Sequence, residues 1–133
     1  MEPVNFGQII SFGKKPILYE AKLDIYSPGG PKLSQIKPIL QYEIKKLGLG
    51  FTSFIKITLS NGQSFSTSSY STCVINDGRF LAITKDDLIN KLTYTIKREL
   101  EFIERQKNEW NKKYNGYSGI LKQIKSYEIE VAI

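Results

Sequence analysis

Residues 51–70, FTSFIKITLSNGQSFSTSSY, decide how this chain is read. From Phe51 to Ser60 apolar and polar residues alternate, Asn61-Gly62 interrupts them with the strongest short-range hairpin signal, and Gln63 to about Tyr70 returns as the partner strand. A period of two places Ser53, Ile55, Ile57 and Leu59 on the inner face and Phe54 and Lys56 on the opposite one. Thr72 to Ile75 reads as a further strand, which Asn76-Asp77-Gly78 turns into Arg79-Phe80-Leu81-Ala82-Ile83. Together these segments predict an antiparallel meander of three or four strands.

Upstream, Gln8 to Phe12 and Ile17 to Tyr26 read as a hairpin closed by Gly13-Lys14-Lys15-Pro16, with Ile17, Tyr19, Ala21, Leu23 and Ile25 facing inwards. Ser27-Pro28-Gly29-Gly30-Pro31 stops the second strand. Ile36, Ile39, Leu40, Ile44 and Leu47 then recur at helical spacing, predicting a helix that begins between Gln35 and Pro38 and ends at Gly48.

Downstream, Thr84-Lys85-Asp86-Asp87 resembles a capping box and opens a second helix. Its apolar stripe, Leu88, Ile89, Leu92, Ile96, Leu100 and Ile103, thins beyond Ile103 and extends through Trp110 to about Tyr114. Asn115-Gly116-Tyr117-Ser118-Gly119 reads as a break, and the alternation of Tyr127, Ile129, Val131 and Ile133 as a last strand. The expected order is β-β-α-β-β-β-β-α-β, a single α+β domain over residues 1–133 with one short and one long helix packed on a mainly antiparallel sheet.

Composition narrows the chemistry. The 133 residues include no histidine and one cysteine, so the commonest general base and the commonest metal ligand are both missing. No phosphate-binding or dinucleotide glycine motif is present, and the hydroxyl-rich run from Ser64 to Thr72 has no activating base beside it. A non-enzymatic protein with no cofactor and no metal is expected. Cys73, in a Ser/Thr-rich strand, reads as a small, partly buried apolar residue. No run approaches the ~18 apolar residues of a membrane span and no signal-peptide pattern opens the chain, so an intracellular, cytoplasmic protein without a membrane partner is expected.

The net charge of +6 is unevenly spread. Residues 31–50 hold four lysines against one glutamate, Lys32, Lys37, Lys45 and Lys46. Between residues 105 and 117, Arg105, Lys107, Lys112 and Lys113 oppose only Glu109 and are interleaved with Trp110, Tyr114 and Tyr117. Cations hold phosphates and aromatic rings stack on bases, so these residues, with Phe54 and Lys56 on the sheet, form the candidate site for nucleic acid, single-stranded DNA preferred. Each has a structural reading as well: lysines complement the end of a helix, and Trp110 prolongs the apolar stripe.

The alternative is a protein-interaction or assembly module whose long helix, 85–114, pairs with a second copy as a homodimer or with a host factor. A third reading is a metal-dependent nuclease, resting on the Glu20-Ala21-Lys22 spacing, for which cross-strand charge pairing is the plainer explanation.

Overall fold

A computed structural model describes residues 2–48 and 53–132, with side chains up to residue 126. The elements in chain order are α1 (Phe6–Phe12), β1 (Leu18–Asp24), β2 (Lys32–Leu33), β3 (Lys37–Ile39), β4 (Tyr42–Lys46), β5 (Phe54–Leu59), β6 (Ser64–Ser68), β7 (Cys73–Asn76), β8 (Arg79–Ala82) and α2 (Lys85–Ala132). The class is α+β, with antiparallel sheets, one short helix and one long helix. The chain divides into two compact units, Met1–Thr93 and Tyr94–Ile133.

The first unit contains two antiparallel sheets. In one, β1 pairs β8, β8 pairs β7, and β2 and β3 both pair β1; in the other the order is β4-β5-β6. The predicted hairpin is β5 and β6, registered Ile57 to Phe65 and Lys56 to Ser66. Phe51 and Thr52 of the expected first strand lie outside the described residues. Asn61-Gly62 sits in a three-residue loop: the Gly62 amide donates to Leu59 O at 3.0 Å, and Leu59 N donates to Gln63 O at 2.8 Å. Gly62 takes the left-handed φ of 88° that a type I turn followed by a bulge requires. The β7–β8 turn is tighter, with Asp77 and Gly78 both at positive φ as a type I′ turn demands.

The core lies in two clusters on either side of the larger sheet. Leu18, Val74, Leu81 and Ile83 meet Tyr42, Ile55, Ile57, Leu59 and Phe65 of the smaller sheet, with Phe6 and Ile9 of α1 closing the cluster. On the opposite face Ala21, Leu23, Phe80 and Ala82 pack with Leu88 and Leu92 from the start of α2. Strand β1 therefore buries residues on both faces, Leu18 towards the first cluster and Ala21 and Leu23 towards the second, where alternation alone predicted a single inner face.

Three expected elements are corrected. Gln8 to Phe12 is helical: Phe6, Ile9 and Ile10 are spaced i, i+3, i+4, Asn5 accepts the Gln8 amide at 2.9 Å as the N-cap, and Gly13 ends the helix at φ 65°. The helix expected from residues 35–38 to Gly48 is two strands, β3 and β4. Tyr42 and Ile44 pack on the first cluster while Glu43 and Lys45 face away, and the pairing of β4 with β5 settles a pattern that fits either period. Pro38 lies in the short strand β3, whose described pairing is to β1 alone, where its missing N–H costs little.

The third correction is at the C-terminal end. Asn115 to Gly119 does not break α2, and residues 127–132, expected as a strand, are helical; Ile133 lies outside the described residues. Thr84 caps α2 as predicted, its Oγ1 accepting the Asp87 amide at 3.0 Å. A glycine inside a helix costs about 1 kcal/mol relative to alanine, too little to stop one of 48 residues. A Cβ at Gly116 or Gly119 meets nothing within 4 Å. Gly116→Ala with Gly119→Ala is therefore expected to stabilise the helix by about 1–2 kcal/mol, read as a higher melting temperature of the 222 nm ellipticity.

Candidate nucleic-acid and assembly surfaces

The outer face of the β4-β5-β6 sheet brings part of the predicted site together. Lys45 on β4 stands directly opposite Lys56 on β5, which stands opposite Ser66 on β6. One row along, Phe54 is opposite Ser68 and 57% exposed; on the other side Thr58 faces Ser64. Alternation does this: Ile55, Ile57, Leu59 and Phe65 are consumed by the core, so the intervening residues are left outside. Two lysines directly opposite one another repel; hydroxyls flank them, and Glu43, opposite Thr58, is the one acid beside them among the described residues of this face.

The same strands scatter the other predicted cations. Lys46 follows Lys45 in β4 and so points to the opposite face, opposite Ile55. Lys32 and Lys37 belong to the larger sheet, where their direct neighbours on β1 are the acids Asp24 and Glu20. The strands separate these lysines and set two of them beside carboxylates.

On α2 the arrangement follows from 100° per residue. Trp110, Tyr114 and Tyr117 lie on one face and are 65–71% exposed. Arg105 and Lys112 lie about 140–160° around the helix from Trp110, on the far side from the rings. Lys113 approaches the aromatic face, with its Nζ 5.1 Å from the centre of the Trp110 ring. Lys107 lies on the aromatic face itself. Of the four cations interleaved with the rings in sequence, two thus stand beside them in space and two on the far side.

The aromatic face is part of a longer one. Ile96, Leu100, Ile103, Lys107, Trp110, Tyr114, Tyr117, Leu121 and Ile124 alternate by four and three residues, the a and d positions of a heptad. Eight of these nine are apolar or aromatic, and all eight are 37–71% exposed. Leu121 and Ile124 lie beyond the glycines that read as a break, where a period of seven carried on from Tyr114 and Tyr117 reaches both. Heptad positions b, c and f, including Glu101, Arg105, Glu109 and Lys112, carry the charge.

Two remaining candidates have structural roles. Glu20 is buried and its Oε1 accepts from Arg79 Nη1 at 3.2 Å, cross-strand pairing that joins β1 to β8. Among the described residues no three His, Cys, Asp or Glu side chains stand together as a metal site. Cys73 is half-buried against the second cluster; burial pushes its thiol up to about 11, with Lys91 pulling it back and Asp87 adding to the rise. The unfolded chain loses that proton first, so the contribution is complete below the ordinary value of 9.0 and is lost as the pH rises through about 11. Urea midpoints are thus expected to fall between about pH 9 and about pH 11, and Cys73→Ser to remove that part of the fall. Tyr42 is pushed up from 10.0 to about 12 by burial, and its hydroxyl donates to Pro16 O at 2.7 Å, so a second loss, overlapping the first, runs from about pH 10 to about pH 12.

No helix among the described residues is long and apolar enough to cross a membrane. Comparison of the chain with protein-family models, curated proteins and solved structures gives no match.

Proposed function

We propose that the chain is an assembly module: a small α+β unit carrying a helix that associates with the same helix of a second copy. The observation that carries this is the exposed 4-3 stripe from Ile96 to Ile124, four heptads long. Its eight apolar side chains expose on the order of 1,000 Å² per copy, against the ~800 Å² per partner of a standard stable interface. A lone helix gains little from propensity, since most helical stability in proteins comes from covering an apolar face. Sedimentation equilibrium of the full chain tests this: a mass near 30 kDa, twice the 15.2 kDa chain, is expected at micromolar concentration, and the chain mass throughout a hundredfold concentration range would overturn it.

A second reading, binding of single-stranded nucleic acid on the outer face of β4-β5-β6, is favoured by the Lys45–Lys56 pair beside exposed Phe54. A phosphate between the lysines would relieve their repulsion, Ser66 and Ser68 would donate to its oxygens, and Phe54 would stack a base. Titration with a labelled oligonucleotide should then weaken about tenfold or more on Lys45→Ala with Lys56→Ala and steepen as salt falls. Binding unchanged by that pair would remove this reading.

A further inference from the structure

We propose that the two copies pair their α2 helices antiparallel, about a two-fold axis between residues 108 and 109, so that Lys107 of each copy lies against the partner's Trp110. This rests on the assembly reading above and names its geometry.

The stripe contains one polar residue between Ile96 and Ile124, Lys107 at an a position. A cation there must find something better than alkane, and the stripe contains one tryptophan, at the adjacent d position. Antiparallel helices pack a against d. In the register centred between residues 108 and 109 the layers are Ile96 on Leu121, Leu100 on Tyr117, Ile103 on Tyr114 and Lys107 on Trp110, each formed twice. The Lys107 ammonium then meets an indole face, the best aromatic partner for a cation.

The flanking residues discriminate among the alternatives. In a parallel pair Lys107 meets Lys107, and Glu99 at g meets Glu104 at e on both sides, like charges across a closing interface. Slipping the antiparallel register by one heptad in one direction sets Lys113 against Lys113 and Lys97 against Lys125; in the other it sets Glu104 against Glu104 and buries Lys107 on Ile103. The centred register sets Glu104 beside Asn111, Gln106 beside Lys113 and Lys97 beside Ser118, with no like-charge pair. Repulsion removes the competitors, which is how coiled coils choose partner and orientation.

The test uses full-length protein carrying Cys73→Ser. Ile103→Cys and Tyr114→Cys are made separately, oxidised alone and as a mixture, and resolved on a non-reducing gel. The mixture should give a crosslinked heterodimer at least about tenfold above either variant alone, because residue 103 of one copy faces residue 114 of the other. Strong crosslinking of Ile103→Cys by itself would show a parallel pair and overturn this arrangement while leaving the assembly reading intact. A dimeric mass without any crosslink overturns the register, a trimeric or tetrameric mass the two-stranded pairing, and a monomeric mass both proposals.

Discussion

Leu100→Asp combined with Tyr117→Asp is expected to leave the chain monomeric and to melt most of the helix beyond Thr93. The centred register puts these two positions in the same layer, so the dimer loses four buried side chains at once. Burying one such side chain stabilises by about 1.5–3 kcal/mol, which makes the loss at least about 6 kcal/mol, or more than ten-thousandfold in Kd. The four new carboxylates add a desolvation and repulsion cost of the same sign. Without its partner the helix has opposite charges at i to i+4 spacing to draw on, such as Glu101 and Arg105 or Glu109 and Lys113, worth only a few tenths of a kcal/mol each. The 222 nm ellipticity should therefore fall with the mass. The first unit should retain its own melting transition, since Leu88 and Leu92 still cover its second cluster. Arg105→Ala with Lys112→Ala, on the far side of the helix, should change neither mass nor ellipticity. A double-Asp variant that still sediments as a dimer would show that another surface holds the copies together.

What could be read from the sequence follows how local each decision is. The β5–β6 and β7–β8 hairpins and the Thr84 cap are written in adjacent residues, turn chemistry flanked by a clear period, and all three are present. Residues 36–47 fit both a helical and a strand period. Only the distant β5 decides between them, and Leu40, placed by the helical reading on the apolar face, ends 69% exposed. Gln8 to Phe12 is too short for periodicity to discriminate; Asn5 and Gly13, a cap at each end, were the better signal.

The predicted site was legible in its residue types and not in its geometry. Proximity in sequence grouped Lys45 with Lys46, which a strand separates, and missed the pairing of Lys45 with Lys56 across eleven residues. On α2 the cations and rings read as one interleaved groove, while the heptad keeps Lys107 and Lys113 by the rings and puts Arg105 and Lys112 on the far side. Gly116 and Gly119 hid this by resembling a stop, although helix termination needs a cap or a proline rather than a modest propensity cost.

Phe65→Ala is expected to destabilise the first unit by about 3–5 kcal/mol, measured as the loss of urea unfolding free energy. Phe65 is 1% exposed, sits opposite Ile57 in the register, and belongs to the cluster in which the smaller sheet, the larger sheet and α1 meet. The cluster to which its ring belongs is built from two sheets and a helix, whose backbones cannot all relax to fill the space it leaves, so the cavity cost adds to the lost transfer energy. Against a typical total of about 5–15 kcal/mol this brings the unit close to unfolding. Ser66→Ala, one residue along, should change stability by no more than about 0.5 kcal/mol, because its side chain lies on the outer face beside Lys56. The contrast tests the assignment of faces on which the Lys45–Lys56–Phe54 surface depends. A loss at Ser66 comparable to that at Phe65 would mean that the outer face is itself covered, and the sheet would then offer no platform for a nucleic acid. A small loss at Ser66 with a large one at Phe65 would leave the lysine pair on a stable, exposed sheet face, with Glu43 beside Lys45 and the rest of the pair's surroundings open to an anion from outside the chain.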